Sequence, residues 1–425
     1  AAMPRFASGL LFSASALDVL VLGGTGFRSA PTADLLVQAG NKVTVVARGN
    51  KYWDFSDRLS QLGVEFWKCN RTIVTDKPES SGLAGCNDWR QQHWHVVVDF
   101  SSNKPAELNQ ALKLLQGRVD FYIFVSSHAV YEVSVKKSET GFRPHVAEGD
   151  ARRPGREVSP LERFELKGSD EYGDAKLECE EALATAYNLG GVPYTILRVA
   201  DPVGPGENSL RYWLLHLWTR AHVALTMPLH LHENMTHTEM SLTFTHDIAF
   251  AVHRVVEKAM NVTCCPGDVR GEAFNVAAEE TPTQRDLYNT VAEAAGVPYI
   301  ETVVHNSSKA VKLYPDSTRG ALVVAKAYRH LSLRPTTLTK ALRITARFYE
   351  RVMITDKFAQ QTEVALRKLG KILDEGPRFV EWLRKFYAEK KKTELYDEFD
   401  DEDDPEGSDW HIKLPRKRSK KKSEL

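Results

Sequence analysis

The segment Leu20-Val21-Leu22-Gly23-Gly24-Thr25-Gly26-Phe27 constrains the fold more than any other part of the chain. An apolar run of strand length passes without a spacer into glycines. Leu35, Leu36 and Ala39 then share one face of a helix that Gly40 can close. A strand feeding a helix through such a turn is the first half of a strand–helix–strand unit, which demands a parallel partner. The alternation recurs: apolar runs at Asp18–Leu22, Lys42–Ala47, Val64–Trp67, His95–Phe100, Phe121–Ser126 and Pro193–Val199 predict six strands, with helix-like segments between them. Runs this apolar are covered on both faces. The expected fold class is α/β, a doubly wound parallel sheet with its ligand crevice at the C-terminal ends of the strands.

Beyond Val199 the pattern is mixed, punctuated by Pro202, Gly204, Pro205 and Gly206. A helix opened by Thr281-Pro282 runs through Ala295, and Thr339 to Arg351 and Phe358 to Leu373 predict two more. The organisation expected is an N-terminal extension over 1–16, a nucleotide-binding domain over 17–200 and a smaller mixed substrate-binding region over 201–355, interleaved with the core. A helical extension over 356–388 and a disordered charged tail over 389–425 follow. In that tail Glu398 to Glu406 is acidic and Arg416 to Lys422 basic. The basic run reads either as a nucleic-acid contact or nuclear signal, or as a solvated tail.

Lys and Arg number 56 against 56 Asp and Glu, so no overall field draws the chain to nucleic acid or an anionic membrane. The five cysteines show no C-x-x-C spacing, and neither a zinc site nor a disulfide scaffold is expected. No apolar stretch is long enough to span a bilayer, so membrane insertion is not expected and the compartment expected is cytoplasmic. The alternative is the ER lumen. Met3 to Ala16 is faintly signal-like, Lys422-Ser423-Glu424-Leu425 resembles a retrieval tetrapeptide, and sequons lie at Asn70, Asn234, Asn261 and Asn306.

The glycine turn is the first candidate site. Gly23 permits the tight turn, and Gly26 lets backbone approach a pyrophosphate at the following helix N-terminus, so Gly23, Gly24, Thr25, Gly26 and Phe27 are candidate cofactor-binding residues. The third glycine of the usual pattern falls on Ser29, small enough to keep helix and strand close. After the second strand an acidic side chain would accept from the ribose 2′-OH of NAD. Here Arg48 stands instead, suited to the 2′-phosphate of NADP, with Asn50 and Lys51 as helpers. The cofactor expected is NADP, with NAD as the alternative; the bland reading of Arg48 is a solvated loop residue.

Downstream, Tyr172-Gly173-Asp174-Ala175-Lys176 opens a helix-favouring run, and the i, i+4 spacing sets Tyr172 and Lys176 on one face. An ammonium there favours the ionised phenol and can hold the nicotinamide ribose. Tyr172 would then serve as general acid or base at a substrate hydroxyl or carbonyl. Ser127, ending the strand Phe124-Val125-Ser126-Ser127, would hydrogen-bond the same oxygen. Catalytic candidates are therefore Ser127, Tyr172 and Lys176; the competing reading of Tyr172 is an ordinary core-edge aromatic. His230, His232 and His237 could share a strand face, but no fourth ligand is evident and no metal is expected. Trp213, Leu214, Leu215, Leu217 and Trp218 read as the wall of the substrate region, with a stacking surface for a ring substrate as the alternative.

Taken together these residues resemble the extended branch of the short-chain dehydrogenase/reductase superfamily, the NAD-dependent epimerase/dehydratase-like proteins, over about Leu17 to Glu350. The resemblance rests on Gly23-Gly24-Thr25-Gly26-Phe27, Ser127-x-x-Val130-Tyr131, Tyr172-Gly173-x-x-Lys176, Leu197-Arg198-x-x-x-x-Val203-Gly204-Pro205-Gly206 and Ala273-Phe274-Asn275-Val276. It implies a Rossmann-type domain, catalytic roles for Ser127, Tyr172 and Lys176, a small-molecule substrate such as a sugar derivative, and a homodimer. Three departures bear on the substrate pocket: Asp201 where Asn is usual, Met240 where many members place Arg, and a long charged, proline-rich stretch from Glu132 to Leu161. His128-Ala129 after Ser127, in place of an acidic pair, argues against dehydration.

Two functions follow. The first is an NADP-dependent oxidoreductase or epimerase. The second is a non-catalytic Rossmann scaffold binding RNA or a protein partner. Chloroplast stem-loop RNA-binding relatives share a similar glycine turn and an Arg after the second strand, and Lys68-Cys69-Asn70-Arg71 resembles their next segment. Those relatives generally lack a clean Tyr-x-x-x-Lys, which favours the enzyme and makes nucleic acid the less expected partner.

Overall fold

The computed structural model describes residues 16–394 except 51–52, 72–81, 87–88, 90–91, 136–144, 156–158, 226–228, 261–267, 298–300, 305–311, 315–318 and 374. Seven parallel strands form the central sheet: β1 (Asp18–Leu22), β2 (Lys42–Ala47), β3 (Glu65–Lys68), β4 (Trp94–Asp99), β5 (Val119–Ser127), β6 (Tyr194–Val199) and β10 (Glu272–Val276). Their spatial order is β10-β6-β5-β4-β1-β2-β3. The chain reverses direction across the sheet between β1 and β4, which places the crevice outside the carboxyl ends of those two strands. Register keeps those ends level: Leu22 pairs with Val46 on one side and Asp99 on the other. Three-residue strands β7 (Asp201–Val203) with β9 (Leu242–Phe244), and β8 (Leu229–Leu231) with β11 (Thr302–Val304), make two small parallel pairs.

The pleat sends alternate residues of each strand to opposite faces. Val19, Val21, Val43, Val45, Val96, Val98, Ile123 and Val125 pack in one cluster with α1 (Ala30–Gln38) and α7 (Thr245–Met260). Leu20, Leu22, Val46, Val97, Tyr122 and Phe124 pack in another with α3 (Pro105–Leu114) and α5 (Glu171–Asn188). Both faces are thus apolar, as a doubly wound sheet requires.

Helix α2 (Phe55–Gln61) follows β2 and α4 (Pro160–Ser169) precedes α5. The remaining helices are α6 (Arg211–Leu225), α8 (Gln284–Ala294), α9 (Ala325–Leu331), α10 (Leu338–Ile354), α11 (Ala359–Ile372) and α12 (Gly376–Glu394). Helices α6, α8, α10, α11 and α12 continue the cluster on the α1 face. Trp53, just ahead of α2, inserts its ring among Trp213, Phe348, Tyr349 and Phe358. That contact fastens the helical layer to the β2 side of the sheet. A buried knot does the same for α12: Glu350 accepts from His216 (2.6 Å), Arg220 (2.7 Å), Tyr387 (2.8 Å) and Lys390 (2.6 Å).

Candidate functional site

A cleft of ≈ 650 Å³ opens where the topology requires, at the C-terminal ends of β1, β2 and β4. Its walls are the turn after β1 (Leu22, Gly23, Thr25, Gly26), the end of β2 with Arg48 and Asn50, Cys69 and Arg71 after β3, and Phe100, Ser101 and Asn103 after β4. Gly23 has φ +83°, and a Cβ there would lie 2.9 Å from Ser101 Cβ. Glycine is thus required both by the backbone and by the close approach of the β4 loop. A Cβ on Gly26 would touch only Ser29 Oγ, at 3.6 Å, so the space beside it stays open to the cleft.

Ser29, where the sequence pattern has lost its third glycine, does more than fit. Its hydroxyl donates to Gly23 O (2.7 Å) and accepts from Gly26 N–H (3.1 Å), tying the turn's two ends together. Among the described residues no acceptor is found for the N–H groups of Phe27 and Arg28, at the mouth of α1. An anion at a helix N-terminus uses such groups. Gly24 and Phe27 face away from the cleft: a Cβ on Gly24 would lie 2.8 Å from Val45, and the Phe27 ring is buried in the core. Of the five turn residues expected to bind cofactor, Gly23, Thr25 and Gly26 line the cleft.

Arg48 is exposed at the rim. The stem of Lys68 passes 3.4 Å from where a Gly49 Cβ would stand. Lys51 lies outside the described residues. Arg71 is a residue that motif reasoning missed as a cleft group: it donates to Ser101 Oγ (2.6 Å) and to Glu107 O (2.7 Å) from within the cleft wall. Its sequence signal is its place just after the third strand, in the Lys68-Cys69-Asn70-Arg71 segment. No carboxylate stands at the end of β2, the glycine turn is open, and cations flank the rim. These residues fit a pyrophosphate-bearing dinucleotide.

One expectation needs correction here. Cys69 and Cys86 form a disulfide. The cysteines are 17 residues apart in sequence, with no spacing cue, and meet because the 3₁₀ turn Gly82–Cys86 folds back onto the end of β3.

Ser127, Tyr172 and Lys176 are not part of that cleft wall; they lie beyond the β4 loop, at the ends of β5 and α5. Asp170 caps α5 by accepting from Gly173 N–H (2.8 Å), which starts the helix and places Tyr172 in its first turn. Gly173 sits so close to the turn after β5 that a Cβ would lie 2.2 Å from Ala129 O. That approach brings the Tyr172 end of α5 against the segment that Ser127 begins. Ser127 Oγ accepts from Ala129 N–H (3.2 Å), and Tyr172 is 40% exposed.

Lys176, one turn on, is 2% exposed. Its ammonium donates to Ser102 O (2.8 Å) and Val125 O (3.2 Å), bridging the β4 and β5 ends, and lies 5.9 Å from the Tyr172 ring centroid. Burial pulls its pKa below the ordinary lysine value, against the opposing influence of Tyr172 and Asp99.

Asp99, ending β4, was not singled out by sequence. Burial pushes its carboxyl upward, but the Arg71 guanidinium and hydrogen bonds from Ser102 and Tyr122 outweigh this and hold it below the usual carboxylate range.

The departures in the substrate region also acquire partners. Asp201 accepts from Arg211 (2.6 Å), and Met240 is buried in the core. Part of the long stretch after Glu132 returns along α5, where Arg153 pairs with Asp174 and, at 3.0 Å, with Glu181. Trp213 is fully buried and stacks on Tyr349 at 4.8 Å, and Trp218 meets Tyr288 at 6.2 Å. This stretch is interior packing, not a stacking surface. His232 accepts from Asn234 N–H (3.4 Å), and His237 is exposed. Among the described residues no helix is long and apolar enough to cross a membrane.

Residues 19–277 match the family model of the NAD dependent epimerase/dehydratase family. The chain is 26% identical over 310 residues to the chloroplast stem-loop binding protein of 41 kDa b of Arabidopsis thaliana, covering 69% of this chain and 67% of that one. In solved structures it is similar to a UDP-galactose 4-epimerase, at 20% identity and a TM-score of 0.54 over 79% of this chain and 99% of the other. It is also similar to the UDP-glucuronic acid 4-epimerase from Bacillus cereus in complex with NAD, at 16% identity and a TM-score of 0.56 over 79% and 99%. At these identities the structural likeness establishes the fold.

Proposed function

The chain belongs to the NAD dependent epimerase/dehydratase family, an NAD-dependent enzyme family of the extended short-chain dehydrogenase/reductase kind, and from that premise we propose an NADP-dependent oxidoreductase or epimerase acting at a substrate hydroxyl or carbonyl. The observation that carries the reading is the Lys176 socket. An ammonium is held by two carbonyls between the cofactor cleft and Tyr172, on a helix pressed against the Ser127 turn at Gly173.

In this reading Gly23, Thr25, Gly26 and the α1 N-terminus hold the pyrophosphate, Arg48 the 2′-phosphate and Lys176 the nicotinamide ribose. The nicotinamide, when bound, supplies or receives the hydride. Tyr172 Oη moves the proton at the substrate oxygen, and Ser127 Oγ hydrogen-bonds that same oxygen and orients it. Lys176 favours the ionised phenol by its charge. The substrate is a small molecule such as a sugar derivative.

Fluorescence titration with NADPH and NADH tests the cofactor, with Arg48→Ala as the variant. NADPH preferred by about tenfold or more in the parent and equalised in the variant supports it; no preference overturns it. A screen of carbonyl substrates with NADPH then tests the chemistry. Tyr172→Phe is expected to abolish turnover with NADPH binding nearly intact, and unchanged turnover sinks the assignment.

A second reading is stem-loop RNA binding on the same scaffold. It is favoured by the similarity to the chloroplast stem-loop binding protein and by charge: residues 319–394 carry 18 Lys and Arg against 8 Asp and Glu in a chain of zero net charge. On α10, Lys340, Arg343 and Arg347 are exposed on one helical face. A gel shift that weakens steeply with salt and is lost on reversing those three charges supports this reading. Salt-independent or absent binding removes it.

A further inference from the structure

We propose that Asp99 is a positioning residue for the Lys176 ammonium, an inference that rests on the dinucleotide reading of the cleft. Asp99 is fully buried at the end of β4. Its carboxylate accepts from the backbone N–H groups of Ser101 (2.8 Å) and Ser102 (2.9 Å), from Ser101 Oγ (3.2 Å), from Ser102 Oγ, and from Tyr122 OH (2.7 Å) on the neighbouring strand. Five donors on one carboxylate leave the loop that follows β4 with one shape. Buried carboxylates are costly unless satisfied in this way.

That loop has two working faces. On the cleft side, Ser101 abuts the glycine turn at Gly23 and accepts from Arg71. On the other side, Ser102 O is the nearer of the two carbonyls holding Lys176 Nζ. The position of the ammonium relative to the cleft is therefore set by the Ser102 peptide, and the Ser102 peptide by Asp99. The carboxylate also places a negative charge 3.8 Å from Arg71 and within electrostatic reach of Lys176, so one buried anion balances a cation on each side of the loop. Arg71 has two bonds that do not involve Asp99, to Ser101 Oγ and Glu107 O. Lys176 depends on the loop more directly, since the Val125 carbonyl at 3.2 Å is its other anchor.

The test uses the isosteric Asp99→Asn in the full chain and two ligands, NADPH and adenosine 2′,5′-bisphosphate, which carries the adenosine and 2′-phosphate but no nicotinamide ribose. Calorimetric titration is expected to show NADPH weakened by about tenfold or more, with the bisphosphate changed by no more than about twofold. A merely structural role for Asp99 weakens both ligands alike. Ser102→Ala removes one hydroxyl donor while keeping both the charge and the backbone carbonyl, and carries the test if Asp99→Asn does not fold. It is expected to weaken NADPH by about threefold, again without affecting the bisphosphate. Equal losses for the two ligands, or NADPH binding unchanged, overturn the proposal and leave the cofactor reading intact. A parent protein that binds neither ligand overturns the cofactor reading and this proposal with it.

Discussion

Arg198 is the residue whose removal reports most directly on how α5 is held to β6. It stands on β6, with its side chain 6% exposed, opposite Glu180 on α5 at 5%. Nη2 and Nε engage the Glu180 carboxylate at 2.7 and 3.1 Å, while Nη1 donates to Glu148 O (2.7 Å) and Tyr131 OH (3.2 Å). Tyr131 in turn donates to Asn275 Oδ1 (2.6 Å), and Asn275 Nδ2 to the carbonyls of Val146 (3.2 Å) and Val323 (3.1 Å). Burial works against the guanidinium charge, but Glu180 more than offsets it and raises the Arg198 pKa above its ordinary value.

Arg198→Met keeps the aliphatic stem and leaves Glu180 as an uncompensated buried carboxylate, a loss of about 3–5 kcal/mol. With an unfolding entropy near 2.1 cal/mol/K per residue, about 0.9 kcal/mol/K for a chain of this size, a loss of about 4 kcal/mol lowers Tm by about 4–5 °C in calorimetry. The double variant Arg198→Met with Glu180→Leu removes both charges and is expected to recover all but about 1–2 kcal/mol. A single variant that loses less than about 1 kcal/mol, or a double variant no better than the single, refutes the reasoning that a buried, mutually dependent pair holds α5 to β6.

Three further outcomes are expected. Gly173→Ala puts a Cβ 2.2 Å from Ala129 O, so the first turn of α5 must shift and Tyr172 with it; turnover is expected to fall by about a hundredfold, and a fall of less than about fivefold in steady-state assays shows that the approach does not set the Tyr172 position. Burial alone would raise the Glu350 carboxyl, but His216, Arg220 and Lys390 hold it far below the carboxylate value of 4.5; because the folded value is depressed, its stabilisation is full above about pH 4.5 and drains as pH falls below that value, so Glu350→Gln should flatten the acid limb of a Tm-against-pH curve. Parallel curves would contradict it. Ser29→Ala leaves Gly26 N–H and Gly23 O without the hydroxyl that joins them; it is expected to cost about 1–3 kcal/mol in urea denaturation and to weaken NADPH binding, whereas unchanged values would mean water replaces it.

The central sheet was legible to within two residues in every predicted strand, with β1 and β2 matching their expected bounds. Parallel strands covered on both faces carry near-continuous apolar runs, and that signal is local. The seventh strand, Glu272–Val276, was not predicted as a strand: only its Ala-Phe-Asn-Val segment was matched to the family, and Glu272 and Asn275 interrupt the apolar continuity that marked the other six. The three-residue strands were not legible, since three residues carry no period. Likewise Tyr172 and Lys176 could be placed on one face by spacing alone, and Gly23 assigned to a turn by its neighbours.

What the sequence determined by itself were features that depend on near neighbours: the alternation of strands and helices, the glycine turn, the cation after the second strand, and the shared face of Tyr172 and Lys176. The tertiary structure decided which distant residues meet. It brought Arg71 into the cleft wall, joined Cys69 to Cys86, closed Asp99 around the loop that seats Lys176, and linked Arg198 to Glu180, Tyr131 and Asn275. It also buried Trp213 and Trp218 inside the helical layer. The reason is physical: periodicity and turn chemistry act over a few residues. A buried charge is satisfied instead by whatever the strand order carries to it, from anywhere in the chain.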